Sequence, residues 1–155
     1  MVRWLIGLAM AALAIGVVNV SAETVGDPSG LWLTEAGDAK IRVSHCGRGL
    51  CGVIVWLKTP IDPKTGRPQV DDKNVNPALA SRPIIGINIF SAMTPDATNK
   101  WSGRIYNADD GKTYASEVAV SGARKLEVRG CVMAILCGGE TWTRVGEVAL
   151  AATPQ

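Results

Sequence analysis

The chain has one histidine, one phenylalanine and aromatic side chains at only 5% of its positions. The single histidine, His45, adjoins Cys46, so a Ser-His or Cys-His relay has almost nothing to draw on. No Gly-x-Ser-x-Gly elbow, phosphate-binding loop or dinucleotide fingerprint occurs. The carboxylate pairs Asp71-Asp72 and Asp109-Asp110 are sequence neighbours in turn-like stretches, whereas acid–base chemistry needs carboxyls converging across a cleft. No catalytic residues are therefore assigned. There is also no basic block, although the formal net charge is +2, which argues against a nucleic-acid partner. Cys-x-x-Cys spacing is missing, and with it the usual redox and structural-zinc signature, leaving His45 beside Cys46 as a weak zinc alternative. Asp62, Asp71 and Asp72 lack the loop spacing of a calcium site. No metal and no cofactor are expected.

What is present begins with an export signal. Arg3 precedes an apolar run from Trp4 to Val18, and Val20 and Ala22 occupy the small-residue positions before a cleavage site. The run is shorter than the roughly 20 residues of a membrane-spanning helix. The expectation is a signal peptide over 1–22, a single domain over 23–155, and a periplasmic or secreted protein with no stable membrane anchor after cleavage. Loss of Arg3 lowers the formal charge from +2 to +1.

All four cysteines, Cys46, Cys51, Cys131 and Cys137, fall after Ala22, and an even count in an exported domain points to two disulfides. Four cysteines allow three pairings. The local pairs Cys46–Cys51 and Cys131–Cys137 are favoured because each flanks a short stretch with the layout of a hairpin tip.

No stretch after Ala22 sustains a helical period. Short runs rich in β-branched and aromatic residues recur instead: 30–35, 40–45, 50–57, 84–93, 100–107, 112–121, 125–131 and 139–145. Asp110-Gly111 and Gly122-Ala123-Arg124 supply tight turns, so neighbours are antiparallel. The fold class is all-β, an antiparallel meander closing into a roughly eight-stranded barrel, with a half-open sandwich as the alternative. One segment interrupts it. Residues 58–83 hold five of the eight prolines and read as an ordered crossing loop or lid, with a short helix starting at Asn76-Pro77. The tail over 147–155 reads as frayed.

Taken in order, Gly30-Leu31-Trp32, Cys46 through Cys51-Gly52, Trp56-Leu57, Asp62-Pro63-Lys64-Thr65-Gly66 and Asn74-Val75-Asn76-Pro77 form a pattern. It continues through Arg82-Pro83-Ile84-Ile85-Gly86, Trp101 to Tyr106, Asp110 to Tyr114, Gly130-Cys131 and Cys137 to Trp142. This pattern resembles the bacterial exported family called domain of unknown function 2147. Ala80 departs from it, standing where a basic residue is expected. The resemblance implies a lipocalin-like barrel and no established activity. Gly-x-Trp in a first strand also resembles lipocalins, in which that Trp packs at the closed barrel end under a basic residue of the last strand. Trp32 and Arg144 occupy those places, giving them a structural role.

Two functions follow. The first is binding of a small apolar or amphipathic ligand inside the barrel, with Trp56, Leu79, Arg82, Asn88, Trp101 and Tyr106 as candidate contacts. Leu79 is expected to dip into the mouth and Arg82 to stand at the rim. The second is a structural or protein-interaction module of the cell envelope with a filled barrel. The aromatic residues serve equally as core in that reading, and no protein partner is identified.

Overall fold

The computed structural model describes residues 26–132 and 135–146, apart from the side chain of Ala92. The expected signal peptide and tail lie outside the described residues.

Eight strands run in chain order: β1 (Gly30–Leu33), β2 (Ala39–Cys46), β3 (Gly49–Leu57), β4 (Asn88–Ala97), β5 (Lys100–Asn107), β6 (Lys112–Gly122), β7 (Lys125–Val132) and β8 (Leu136–Gly146). Each pairs antiparallel with the next, and β8 returns to β1 to close the barrel. Alternation sets which side chains point inward. Ala39, Ile41 and Val43 of β2 are buried while Lys40, Arg42 and Ser44 between them are not, and Leu126 and Val128 repeat the pattern on β7. A closed ring leaves no unpaired edge, which a short β1 could not protect alone.

Both local disulfides are formed. Cys46–Cys51 ties the β2–β3 tip, with Cα atoms 5.7 Å apart, and Cys131–Cys137 ties directly opposed residues of β7 and β8. That second bridge explains why β8 begins at Leu136 rather than at the expected Gly139: the ladder runs on to the cross-link.

Two other expectations need correction. The fourth strand starts at Asn88 and not at Ile84. Residues 84–87 form a turn instead, clamped to β3 through Gly86 N–H to the Ile54 carbonyl and Ile54 N–H to the Ile87 carbonyl. No helix forms at Asn76-Pro77. The Asn76 side chain accepts the Ala78 N–H at 3.0 Å, and successive short-range bonds make a run of turns.

The strand directions give the barrel two unlike ends. The turns β2–β3, β4–β5 and β6–β7 gather at one end with the start of β1 and the finish of β8. There Arg144 lies over the Trp32 ring at 4.4 Å. Its guanidinium also donates to the carbonyls of Ala123, Ser29 and Asp27. The Trp32 indole N–H donates to the Pro28 carbonyl at 2.8 Å, and the ring is fully buried. A side chain at Gly30 would collide with the Arg144 guanidinium, which is the physical reason for glycine two residues before this tryptophan. Behind the plug, Val43, Leu50, Phe90, Met93, Trp101, Val118 and Leu126 are buried together.

The turns β1–β2, β5–β6 and β7–β8 lie at the other end, with the long segment between β3 and β4. That segment has structure of its own, with bridges between Ile61 and Pro68 and between Val70 and Pro83. Ile84 and Ile87 anchor it in the core.

Candidate functional site

Near the second end Ile41, Ile54, Ile84, Ile89, Val128 and Trp142 continue the core, but beyond them the inward positions leave open space. That space is a cavity of about 950 Å³, open at the mouth, within the size range of sites for small molecules. Its wall comprises Ile41, Ile54, Leu57, Ile89, Val128 and Trp142, with Tyr114 nearer the rim. Gly130 and Gly138 face each other across β7 and β8 on this wall, so neither supplies bulk. A Cβ at Gly138 would meet nothing within 4 Å. Polar side chains are interspersed with the apolar ones, among them Thr34, Thr59, Tyr106, Asn107 and Tyr114. Asp38, Lys58, Gln69, Asp109 and Glu140 line the same space.

The long segment borders the cavity through Lys58, Thr59, Gln69 and Ile84, and a buried carboxylate holds it there. Asp71 is wholly inaccessible to solvent. It accepts hydrogen bonds from the Tyr106 hydroxyl, from the Asn74 amide at 2.8 Å and from Arg82 Nε at 2.9 Å. The Arg82 guanidinium also makes a 2.8 Å ion pair with it and lies 5.5 Å from the Tyr106 ring centre. Burial pushes the Asp71 carboxyl up, but these bonds and the guanidinium charge outweigh it and hold the group below its usual range. Burial and the adjoining Asp71 carboxylate push the Tyr106 phenol up. Since Tyr106 belongs to β5, the network latches the segment to the barrel wall. A second fastening is steric. Gly111, at φ +71°, lies so close to the Lys73 backbone that no side chain fits between them.

Among the residues expected to touch a ligand, only Tyr106 lines this cavity. Trp101 is buried in the filled part of the core instead. Trp56 faces outward: a register shift in the β2–β3 ladder places it opposite Lys40, whose ammonium sits 4.6 Å from the ring centre. Leu57 takes the inward place next to it. Leu79 is 38% exposed and does not dip into the mouth. Arg82 is paired with Asp71 and does not line the cavity. Asn88 is exposed, its amide group placed to donate to the Gly52 and Phe90 carbonyls.

The three aspartates weighed as a calcium site have separate engagements. Asp62 accepts the Lys64 N–H and the Thr65 hydroxyl, Asp71 is enclosed as described, and Asp72 pairs with Lys73. No group of side chains that could hold a metal ion occurs among the described residues.

Sequence reasoning missed Glu140 and Gly138. Their signal was the alternation in Gly138-Gly139-Glu140-Thr141-Trp142, which turns Gly138 and Glu140 to the same face as Trp142. It missed Asp71 as an anchor because the partners Asn74, Arg82 and Tyr106 converge only in three dimensions.

Comparison with known proteins agrees with this architecture. A solved structure titled "Protein HP1028 from the human pathogen Helicobacter pylori belongs to the lipocalin family" superimposes with a TM-score of 0.62 at 21% identity. The match covers 77% of this chain and 84% of that one. At that identity the likeness shows the fold alone. No curated protein matches the sequence. A family model described as an uncharacterized protein conserved in bacteria, domain of unknown function 2147, matches residues 30–144. The chain belongs to this bacterial family and builds its domain as a lipocalin-like barrel.

Proposed function

We propose that the protein is an exported carrier or sensor that holds one small apolar or amphipathic molecule in the open half of its barrel. The observation that carries this reading is the cavity of about 950 Å³ beside a plugged and filled opposite end. A lining that mixes apolar side chains with polar and charged groups suits a molecule with one hydrophobic and one polar part. The two disulfides are compatible with work in an oxidising compartment, the periplasm or the medium, after removal of residues 1–22. The alternative reading, an envelope interaction module, takes its support from Ile135 and Leu136, which are 84% and 72% exposed beside the mouth.

Fluorescence separates the two. Trp142 is the tryptophan on the cavity wall. An uncharged amphiphile such as dodecanol should shift its emission saturably, and Trp142→Phe should abolish most of that response. Gly138→Phe, at a position where a Cβ meets no neighbour, should project a ring into the space and weaken binding at least about tenfold. A flat titration across fatty alcohols, isoprenoids and aromatic amphiphiles would transfer support to the interaction module.

A further inference from the structure

The charge inside the cavity carries information about the head group of its ligand. On β8, Glu140 stands on the inner face between Gly138 and Trp142, directly opposite Val128 of β7. It is only part-buried, and its neighbours on this stretch of the wall are the apolar Val128 and Trp142. A carboxylate turned into such surroundings costs free energy unless it is paired or hydrogen-bonded. One of its oxygens accepts the Trp142 indole N–H. An ionised carboxylate has about four acceptor positions, so most of its capacity stays open. No lysine or arginine forms an ion pair with it among the described residues.

The remaining charges of the lining point the same way. Asp38 and Asp109 join Glu140 on the acidic side, and Lys58 alone opposes them. The lining is thus net negative, whereas the whole chain is net positive at +2. None of the three carboxylates takes part in an ion pair among the described residues. Tyr106 and Tyr114, both part-buried, add aromatic surface to the lining, the kind of surface that receives alkylammonium groups.

We infer that the cavity selects an amphiphile with a cationic head, an amine or quaternary ammonium, whose charge is met by Glu140. This rests on the ligand-binding reading above. The apolar tail occupies the wall of Ile41, Ile54, Ile89 and Val128, and the head stays near the mouth, where Asp38 and Asp109 add long-range attraction. A fatty acid is disfavoured at the same place by like-charge repulsion.

Three probes of equal chain length test it on the mature protein at neutral pH, below their micelle concentrations: dodecyltrimethylammonium, dodecanol and dodecanoate. The expected ranking by titration calorimetry is cation over alcohol over anion, with about a tenfold step between cation and alcohol. Glu140→Gln keeps an acceptor for the Trp142 N–H and removes the charge. It should bring the cation to the affinity of the alcohol while leaving the alcohol unchanged. The wild-type ranking needs no variant, and equal affinities or a reversed order overturn the inference. A cation preference that survives in Glu140→Gln overturns it as well. Alcohol binding without charge preference removes the head-group inference and leaves the cavity reading standing. Absence of binding by all three probes removes both.

Discussion

The two halves of this barrel are built from one strand pattern and reach opposite results. In the plugged half, inward positions carry large side chains that meet across the axis: Trp32, Leu50, Phe90, Met93, Trp101 and Leu126. The single phenylalanine sits against Gly52, where an added side chain would strike its ring. In the open half the same inward register falls on Gly130, Gly138, Glu140 and Ala39, and space remains. Alternation decides which residues face inward, and their volume decides whether the interior is core or cavity. Close-packed interiors tolerate few voids, so a large cavity in one half only is a property of its particular residues.

The sharpest way to break this comparison is to empty the plug. Trp32→Ala removes a fully buried ring together with its stack on Arg144 and its bond to Pro28, and should cost about 3–5 kcal/mol in urea denaturation. Leu57→Ala, on the cavity wall and only part-buried, should cost under about 1.5 kcal/mol by the same measurement. Equal losses would mean the halves are packed alike.

Next in size is the latch. Asp71→Asn leaves Arg82 without its carboxylate, and because Arg82 is itself partly exposed the loss should be about 2 kcal/mol. It should also bring new protease cuts within residues 58–83. The pH dependence has a definite sign. The folded-state pKa of Asp71 lies below its ordinary value, so its contribution is complete above roughly pH 4 and declines as pH falls through the folded value. Asp71→Asn should therefore flatten the acid limb of the stability curve relative to wild type. An unchanged limb would show that the loop is held by other contacts.

These two regions also differ in how legible they were beforehand. The plug was legible through the resemblance to lipocalins, which placed Gly30, Trp32 and Arg144 in the first and last strands, and the pairing of those strands brings them together. The strands and both hairpin disulfides were legible for another reason: period-two alternation and turn glycines are local signals. The site was not. Trp56 looked like a wall residue until a bulge turned it outward, and no local signal in Val53–Leu57 announces that shift. Leu79 and Arg82 depended on the path of a loop whose anchor, Asp71, bonds to a residue 35 positions away. Contacts that long-range have no sequence period to betray them.

The disulfides offer a finer comparison, one at each end. Replacing either pair with serine should cost about 2 kcal/mol, since the sequence separations of 5 and 6 enclose loops of nearly equal length. Only loss of Cys131–Cys137, which borders the mouth, should alter affinity for dodecanol. The smallest stability effect belongs to Gly138→Phe, within about 0.5 kcal/mol of wild type, because a Cβ at that position meets no neighbour.

The asymmetry itself can be observed directly by mapping amide and methyl chemical shifts during a dodecanol titration of the isotopically labelled mature protein. Saturable shifts are expected at Ile41, Ile54, Ile89, Val128 and Trp142, with Val43, Leu50, Val118 and Leu126 in the plugged half unmoved. Shifts spread evenly over both halves, or confined to the outer surface around Trp56, would contradict the asymmetry.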